Sequence, residues 1–187
     1  MEKHILFLDV ETTGTGSSAR IVQMAWLVHD IEGNEIKSQN HIIKPDGFEI
    51  PVEATKIHGI TTQEAIDGGE DLEMILLQFR KDLICCNLLV GHNISFDVRM
   101  VTYEFMRFGM PDKLREIEKV CTMHKSTDYC AIPSSKRYFK KPKLQELHSK
   151  LFGDNFEGAH DALADIQATA RCYWQLKALG VINPIIL

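Results

Sequence analysis

Hydrophobic positions along this chain follow two different periods. Ile5-Leu-Phe-Leu8 is an unbroken apolar run of the length of a buried strand. Ile21 to Asp30 and Ile36 to Ile43 read as two more strands, with Glu32-Gly33-Asn34 as the tight hairpin between them. Lys44 to Pro51 reads as a loop, and Thr61-x-x-Glu64 carries the capping-box pattern of a short helix start. After the break at Gly68-Gly69, Leu72, Ile75, Leu76, Phe79 and Leu83 share one helical face over 72–84. Leu88 to Gly91 predicts a short buried strand, followed by a helix that runs through Asp97 to about Phe108 and stops at Gly109-Met-Pro111. Val120-Cys121 reads as an edge strand. Leu144, Leu147 and Leu151 mark a helix closed by Gly153, and a last helix covers 161–179 with Gly180 as its C-cap. Strands first, then strands alternating with helices, predict an α/β fold: a mixed sheet flanked by helices. Without repeats or a dividing linker, residues 1–187 are expected to form one domain.

The first strand breaks its own pattern. Asp9 and Glu11 follow the apolar run two residues apart, and side chains alternate along a strand, so both carboxylates project from one face. Like charges that close raise each other's pKa unless a cation sits between them, and hard divalent cations prefer carboxylate oxygen. The alternative is a strand that ends at Asp9, with Glu11 already in a solvated loop.

Composition narrows the classes. With 44% hydrophobic and 25% charged residues the chain is ordinary for a globular protein. A formal net charge of −5 argues against a protein that coats nucleic acid non-specifically, so any grip on a polyanion must be local or made through metal. Five cysteines, with Cys85 and Cys86 adjacent, fit no disulfide framework and no C-x-x-C zinc pattern. Cys121, His124, Cys130 and His148 form a zinc set only at irregular spacing. Ordinary thiols in a reducing cytoplasm are the expectation. The N-terminal apolar run is too short for a signal peptide or a membrane span, which predicts a cytoplasmic location and no membrane partner.

Two further acids complete the candidate chemistry. Asp97 falls in the first turn of the helix after the 88–91 strand, where sites form in open α/β sheets. Its alternative role is to complement the helix dipole. Asp165 shares a small, apolar helix face with Ala162, Ile166, Thr169 and Tyr173, where an unpaired charge is costly. Arg171 or Arg99 is its alternative partner. His160 is five residues before Asp165, roughly 140° around an ideal helix. The two converge only if His160 lies in the loop before the helix, which Gly158 permits; otherwise it is a surface histidine.

At these residues the chain resembles the DEDDh family of 3′–5′ exonucleases, in particular its epsilon-like proofreading branch. The first motif is Asp9-Val-Glu11-Thr12-Thr13-Gly14, the second Gly91-His92-Asn93-Ile-Ser-Phe96-Asp97, and the third His160-Asp-Ala-Leu-Ala-Asp165. Ile57-His58-Gly59-Ile60-Thr61 is similar to the loop that this branch places over the terminal nucleotide. The resemblance covers about residues 5–175 and implies a ribonuclease H-like mixed five-stranded sheet. It also implies two divalent cations, Mg²⁺ or Mn²⁺, about 3.5–4 Å apart. Asp9 would bridge both, Glu11 and Asp165 would complete one site, Asp97 would act through water, and His160 would be the general base. Thr12 and Thr13 would contact the terminal sugar, Ile57 with His58 the last base, and Asn93 and Phe96 the scissile phosphate.

The implied product is a nucleoside 5′-monophosphate released from a single-stranded or 3′-terminal nucleic acid, DNA before RNA. RNA processing is the alternative substrate reading, and a DNA polymerase is the implied protein partner. One departure is Thr15, where many relatives have a leucine stacking opposite the wedge. The basic cluster Lys136 to Lys143, containing Tyr138 and Phe139, reads either as a track for a single strand or as a solvated loop. Two rivals come from other classes: an inactive nucleic-acid-binding module on the same fold, and a dinucleotide site at Gly14-x-Gly16-x-x-Ala19.

Overall fold

The computed structural model describes residues 3–135 and 137–183. β1 (His4–Thr12) lies at the centre of a five-stranded sheet. On one side it pairs antiparallel with β2 (Ile21–Asp30), which pairs antiparallel with β3 (Glu35–Ile42). On the other it pairs parallel with β4 (Leu88–Gly91), which pairs parallel with β5 (Glu118–Cys121). The order is therefore β3-β2-β1-β4-β5, and the sheet is mixed as its pattern of elements predicts.

Strand alternation divides the core into two layers. Leu6, Leu8 and Val10 of β1 join Trp26, Phe79, Met100 and Phe105 beneath α3 (Leu72–Leu83) and α4 (Ser95–Arg107). Ile5 and Phe7 face the opposite way, with Ala25, Leu27, Val90, Leu147, Ile166 and Tyr173, beneath α7 (Leu144–Phe152) and α8 (Ala162–Ala178). Ala25, fully buried, and the alanines of α8 let that helix close onto β1 and β2. Asp9 and Glu11 continue the Ile5–Phe7 face, so they project towards α8.

Three segments differ from the sequence reading. β1 continues to Thr12, with Glu11 opposite Gln23, so Glu11 is a strand residue; the register shifts only between Glu11 and Thr12. Val52–His58 is a helix, α1, in a stretch to which the sequence assigns no element except a loop from Ile57, and α2 (Thr62–Gly68) follows with the predicted capping box of Thr61 and Glu64. α5 (Thr122–Lys125) and α6 (Thr127–Cys130) are single turns too short to leave an apolar period. Among the described residues no helix is long and apolar enough to cross a membrane.

Candidate active site

The site begins where two strands part. β1 and β4 stay in register only from Ile5 opposite Leu88 to Phe7 opposite Val90. Beyond that β4 ends at Gly91, which packs so closely that a Cβ would lie 3.0 Å from the Leu8 carbonyl oxygen. The chain turns at Asn93, held at φ 71°, and enters α4. Asp97 then takes the backbone N–H of Val10 at 3.1 Å, a group beyond the paired stretch of β1 and β4. Its position in the first turn of α4 also complements the helix dipole.

α8 supplies the opposite wall. His160 has φ 70° and Gly158 φ 75°, so the loop doubles back before Asp161 caps the helix by accepting from Ala164 N at 3.0 Å. Turned in this way, the His160 backbone N–H donates to Asp165 Oδ2 at 3.3 Å. One ligand atom each of Glu11, His160 and Asp165 lies within 4.8 Å of the others. Asp9 and Asp97 fall outside that tight triplet, yet their charges reach it.

Burial is the first cause of the electrostatics, and mutual repulsion the second. Glu11 is pushed up to about 8 by burial and then by Asp165, Asp97 and Asp161. Asp9 is raised well above the usual carboxylate range by burial, then by Asp97, Asp165, Glu11 and Asp161. Asp97 rises to about 7 by burial, although its bonds to backbone N–H groups pull the other way. Asp165 rises to about 6, also by burial first, with the His160 N–H opposing. None of the four pairs with a lysine or arginine: among the described residues Arg99 lies over the Phe96 ring and Arg171 over Phe152. Asp165 Oδ1 is buried without a hydrogen-bond partner. An all-oxygen donor set with an orphaned carboxylate oxygen and no cationic side chain fits a hard divalent ion.

The residues expected at the substrate are less uniform. Thr12 ends β1 and Thr13 follows it, tied down by Arg20 in both directions: its N–H donates to Arg20 O and its Oγ1 accepts from Arg20 N, each at 2.9 Å. Ile57 is 58% exposed on the last turn of α1, an apolar side chain held out into water. His58 beside it is buried, accepting from Ile60 N through Nδ1 while its Nε2 lacks a partner. Burial, then the charge of His160, lowers its pKa. Both belong to a helix, not to the loop expected from sequence. Asn93 is exposed and Phe96 partly buried at the start of α4.

Three residues of the surroundings escaped the sequence reading. Gln23 is buried, and its Nε2 donates to Asp161 Oδ2 at 2.9 Å and to Asn40 Oδ1 at 3.0 Å. Its Oε1 accepts from Ala162 N at 3.1 Å, so it holds the cap of α8. The signal was there: Gln23 is the one polar residue in the run Ile21 to Val28. Asp161 shared the motif but was passed over as a spacer. Glu104, fully buried on α4, binds Arg20 Nε and Arg107 at 3.0 Å each and so anchors the turn after β1. The rival sites do not assemble. The zinc set falls apart, with His148 Nδ1 donating to Asp154 O and His124 beside Lys141. The Gly14–Ala19 loop leads into a hairpin strand rather than a phosphate-binding helix.

Comparison with known proteins gives a consistent answer. The model of the exonuclease family RNase_T matches residues 6–173. The DNA polymerase III epsilon subunit of Salmonella typhimurium is 30% identical over 90% of this chain and 69% of its own length. The PolC-type DNA polymerase III of Pediococcus pentosaceus is 29% identical over 94% of this chain, which spans only 11% of that protein. Among solved structures, Escherichia coli exonuclease I in complex with a dA16 oligonucleotide superposes with a TM-score of 0.78 at 25% identity. That match covers 95% of this chain and 41% of exonuclease I. A zinc-bound form of the same enzyme with single-stranded DNA gives 0.79. By family model, sequence and fold together, the chain belongs to the exonuclease family, as a DEDD-type member of the ribonuclease H-like superfamily.

Proposed function

We propose that the chain is a metal-dependent 3′–5′ exonuclease that releases nucleoside 5′-monophosphates stepwise, from DNA in preference to RNA. The observation that carries this reading is the convergence of Asp9, Glu11, Asp97 and Asp165, with no lysine or arginine paired to them among the described residues. These four would hold two divalent cations, Mg²⁺ or Mn²⁺. Bound there, the ions would supply an activated water and neutralise charge on the phosphate.

The other side chains position and relay. His160 is exposed and within reach of Glu11 and Asp165, so it can take the proton released as water adds to phosphorus. An imidazole with an unperturbed pKa near 6.5 suits that task. The 3′ oxygen of the preceding nucleotide leaves as the P–O bond breaks. Ile57 stands where a terminal base would press against apolar surface, with His58 behind it. Thr12 and Thr13 lie at the sugar, and Asn93 and Phe96 beside the phosphate. Thr15 leaves Ile57 without an apolar counterpart, so frayed or unpaired ends should be preferred. The names of the relatives favour DNA, and a DNA polymerase is the corresponding candidate partner.

A 5′-labelled oligonucleotide incubated with Mg²⁺ should give a ladder shortened from the 3′ end, faster for DNA than for matched RNA. Rapid cutting of a closed circular single strand would overturn the reading. RNA degraded faster than DNA would move the substrate to RNA processing.

A further inference from the structure

The segment between α6 and α7 presents chemistry that the carboxylate site does not use. Tyr138 is 76% and Phe139 48% exposed, two neighbouring aromatic rings held in water. With Arg137, Lys141, His124 and Asp128 they line a cavity of about 480 Å³, within the usual range for a small-molecule or nucleotide site. Lys136, the first residue of the basic cluster, lies outside the described residues. Of the other cations, Lys140 is engaged by Glu146 at 2.6 Å. Lys141 Nζ lies 3.0 Å from His124 Nε2, and Arg137 makes no ion pair among the described residues.

The C-terminal end of this platform, from Lys140 to Lys143, is tied to the active-site edge of the sheet. Lys140 N donates to Ile132 O at 3.0 Å, and Lys143 N to Glu146 Oε2 at 2.7 Å. His92, which directly follows β4, donates through Nε2 to the Pro142 carbonyl at 3.0 Å. That bond fixes the tautomer, so Nδ1 receives Thr122 Oγ1 at 3.0 Å. Burial lowers the imidazole to about 4, which keeps it in this neutral form. β1, β4 and β5 are parallel neighbours, so their C-terminal ends share one edge, and β5 leads straight into α5 with His124. Two strand spacings place that end about 10 Å from β1. Ile57 stands on the other flank, on α1, whose Ala54 packs with Val22 of β2. The carboxylates lie between the two.

We propose that the pocket lined by Arg137, Tyr138, Phe139 and Lys141 binds the upstream, unpaired nucleotides of the strand being degraded, stacking bases on the rings and holding phosphate with the cations. The proposal rests on the exonuclease reading above and adds the path of the strand. If the last nucleotide sits at Ile57, the rest of the strand must leave on the opposite flank, across β4 towards β5. Aromatic faces accept any base and cations track any backbone, so recognition here is independent of sequence but requires unstacked, single-stranded nucleic acid. Asp128 on the same rim offsets one cation, so stacking outweighs charge. In a chain of net charge −5 this is where a polyanion finds local positive charge.

The test is fluorescence anisotropy on 5′-labelled oligothymidylates from two to twelve nucleotides, with Ca²⁺ in place of Mg²⁺ and the label checked for integrity afterwards. Affinity of the wild type should step up once the strand is long enough to reach the pocket. Tyr138→Ala with Phe139→Ala should remove that step and weaken long-strand binding about 5- to 150-fold, the worth of one stacked base. Both rings are exposed, so folding should survive, and a thermal melt checks it. Arg137→Ala should reduce the salt slope of log K by about 0.7, one phosphate on a single strand. Lys81→Ala, an exposed charge on α3, should change neither. Wild-type affinity independent of length, or long-strand affinity intact in the double variant, overturns the proposal and leaves the aromatic face to a protein partner. Hydrolysis is scored separately on the same proteins with Mg²⁺. A length step without hydrolysis would refute the exonuclease reading and keep the binding site, and hydrolysis without a step would do the reverse.

Discussion

Gln23 and Asp161 are hydrogen-bonded at 2.9 Å across 138 positions of sequence, and this bond orients the start of α8. Gln23 sits opposite Glu11 on β2, so the same short ladder carries a candidate metal ligand and the brace of the helix that delivers the next one. Replacing Gln23 by Glu would set a second carboxylate against Asp161 and remove the donor. The expected result is a loss of about 1–3 kcal/mol of stability and a lower kcat. Adding Asp161→Asn should restore both, because an asparagine can still accept from Ala164 N while donating to Glu. A double variant no better than Gln23→Glu alone would show that the pair does not orient α8.

His160 is held in the left-handed region, which asparagine tolerates better than most residues. His160→Asn should therefore keep the loop while removing the imidazole. If His160 is the general base, kcat should fall roughly 10²- to 10⁴-fold with the melting temperature nearly unchanged. An undiminished kcat near neutral pH would return His160 to the role of a surface histidine.

Metal-free stability should fall as pH rises. Glu11, Asp97 and Asp165 titrate at about 8, 7 and 6 in the native state, and Asp9 is raised as well, all above their unfolded values near 4. Between those limits the native protein binds more protons than the unfolded chain, so the slope of stability with pH is negative. In EDTA the melting temperature should decline from about pH 5 to about pH 8. Mn²⁺ at the upper end should reverse this by about 2.7 kcal/mol at one hundred times its Kd. Asp9→Asn should blunt the gain and leave the metal-free protein more stable. A melting temperature that climbs with pH in EDTA would contradict the electrostatics described here.

Glu104 is buried between two partly exposed guanidiniums, Arg20 and Arg107, and also receives Ile21 N at 3.3 Å. Glu104→Gln removes the charge and leaves both arginines facing a neutral amide. We expect a loss of about 2–3 kcal/mol, below the 3–5 of a fully buried pair. KM for an oligonucleotide should rise more than kcat falls, since Arg20 holds Thr13 in place. Unchanged denaturation midpoints would mean that water replaces the pair at no cost.

What could be read from sequence was whatever had a period. Asp9 and Glu11 sit on one face because a strand alternates, and the small face of α8 is the one that meets the sheet. Gly158 permitted, without requiring, the turn that brings His160 back to Asp165. α1 was missed because it is short and buries only Ala54 and His58, so no apolar stripe marks it. Pro51 before it and Gly59 after it, at φ 81°, were the available signals. Gln23 and Glu104 were missed for another reason. Their partners, Asp161 and Arg20, are 138 and 84 residues away, and only the folded sheet brings them together.

The order in which the chain supplies its parts sets when activity begins. β1 to β5 are all made before α8, and α8 carries both Asp165 and the cap that turns His160 inward. At a synthesis rate of about 5–20 residues per second, the sheet waits seconds for this helix. During that interval Phe7, Ala25 and Leu27 lack their cover, which makes it the stage most open to aggregation. The carboxylate cluster also lacks one wall until then, because Asp165 arrives only with α8. Docking of α8 closes the core and completes the carboxylate cluster in one event.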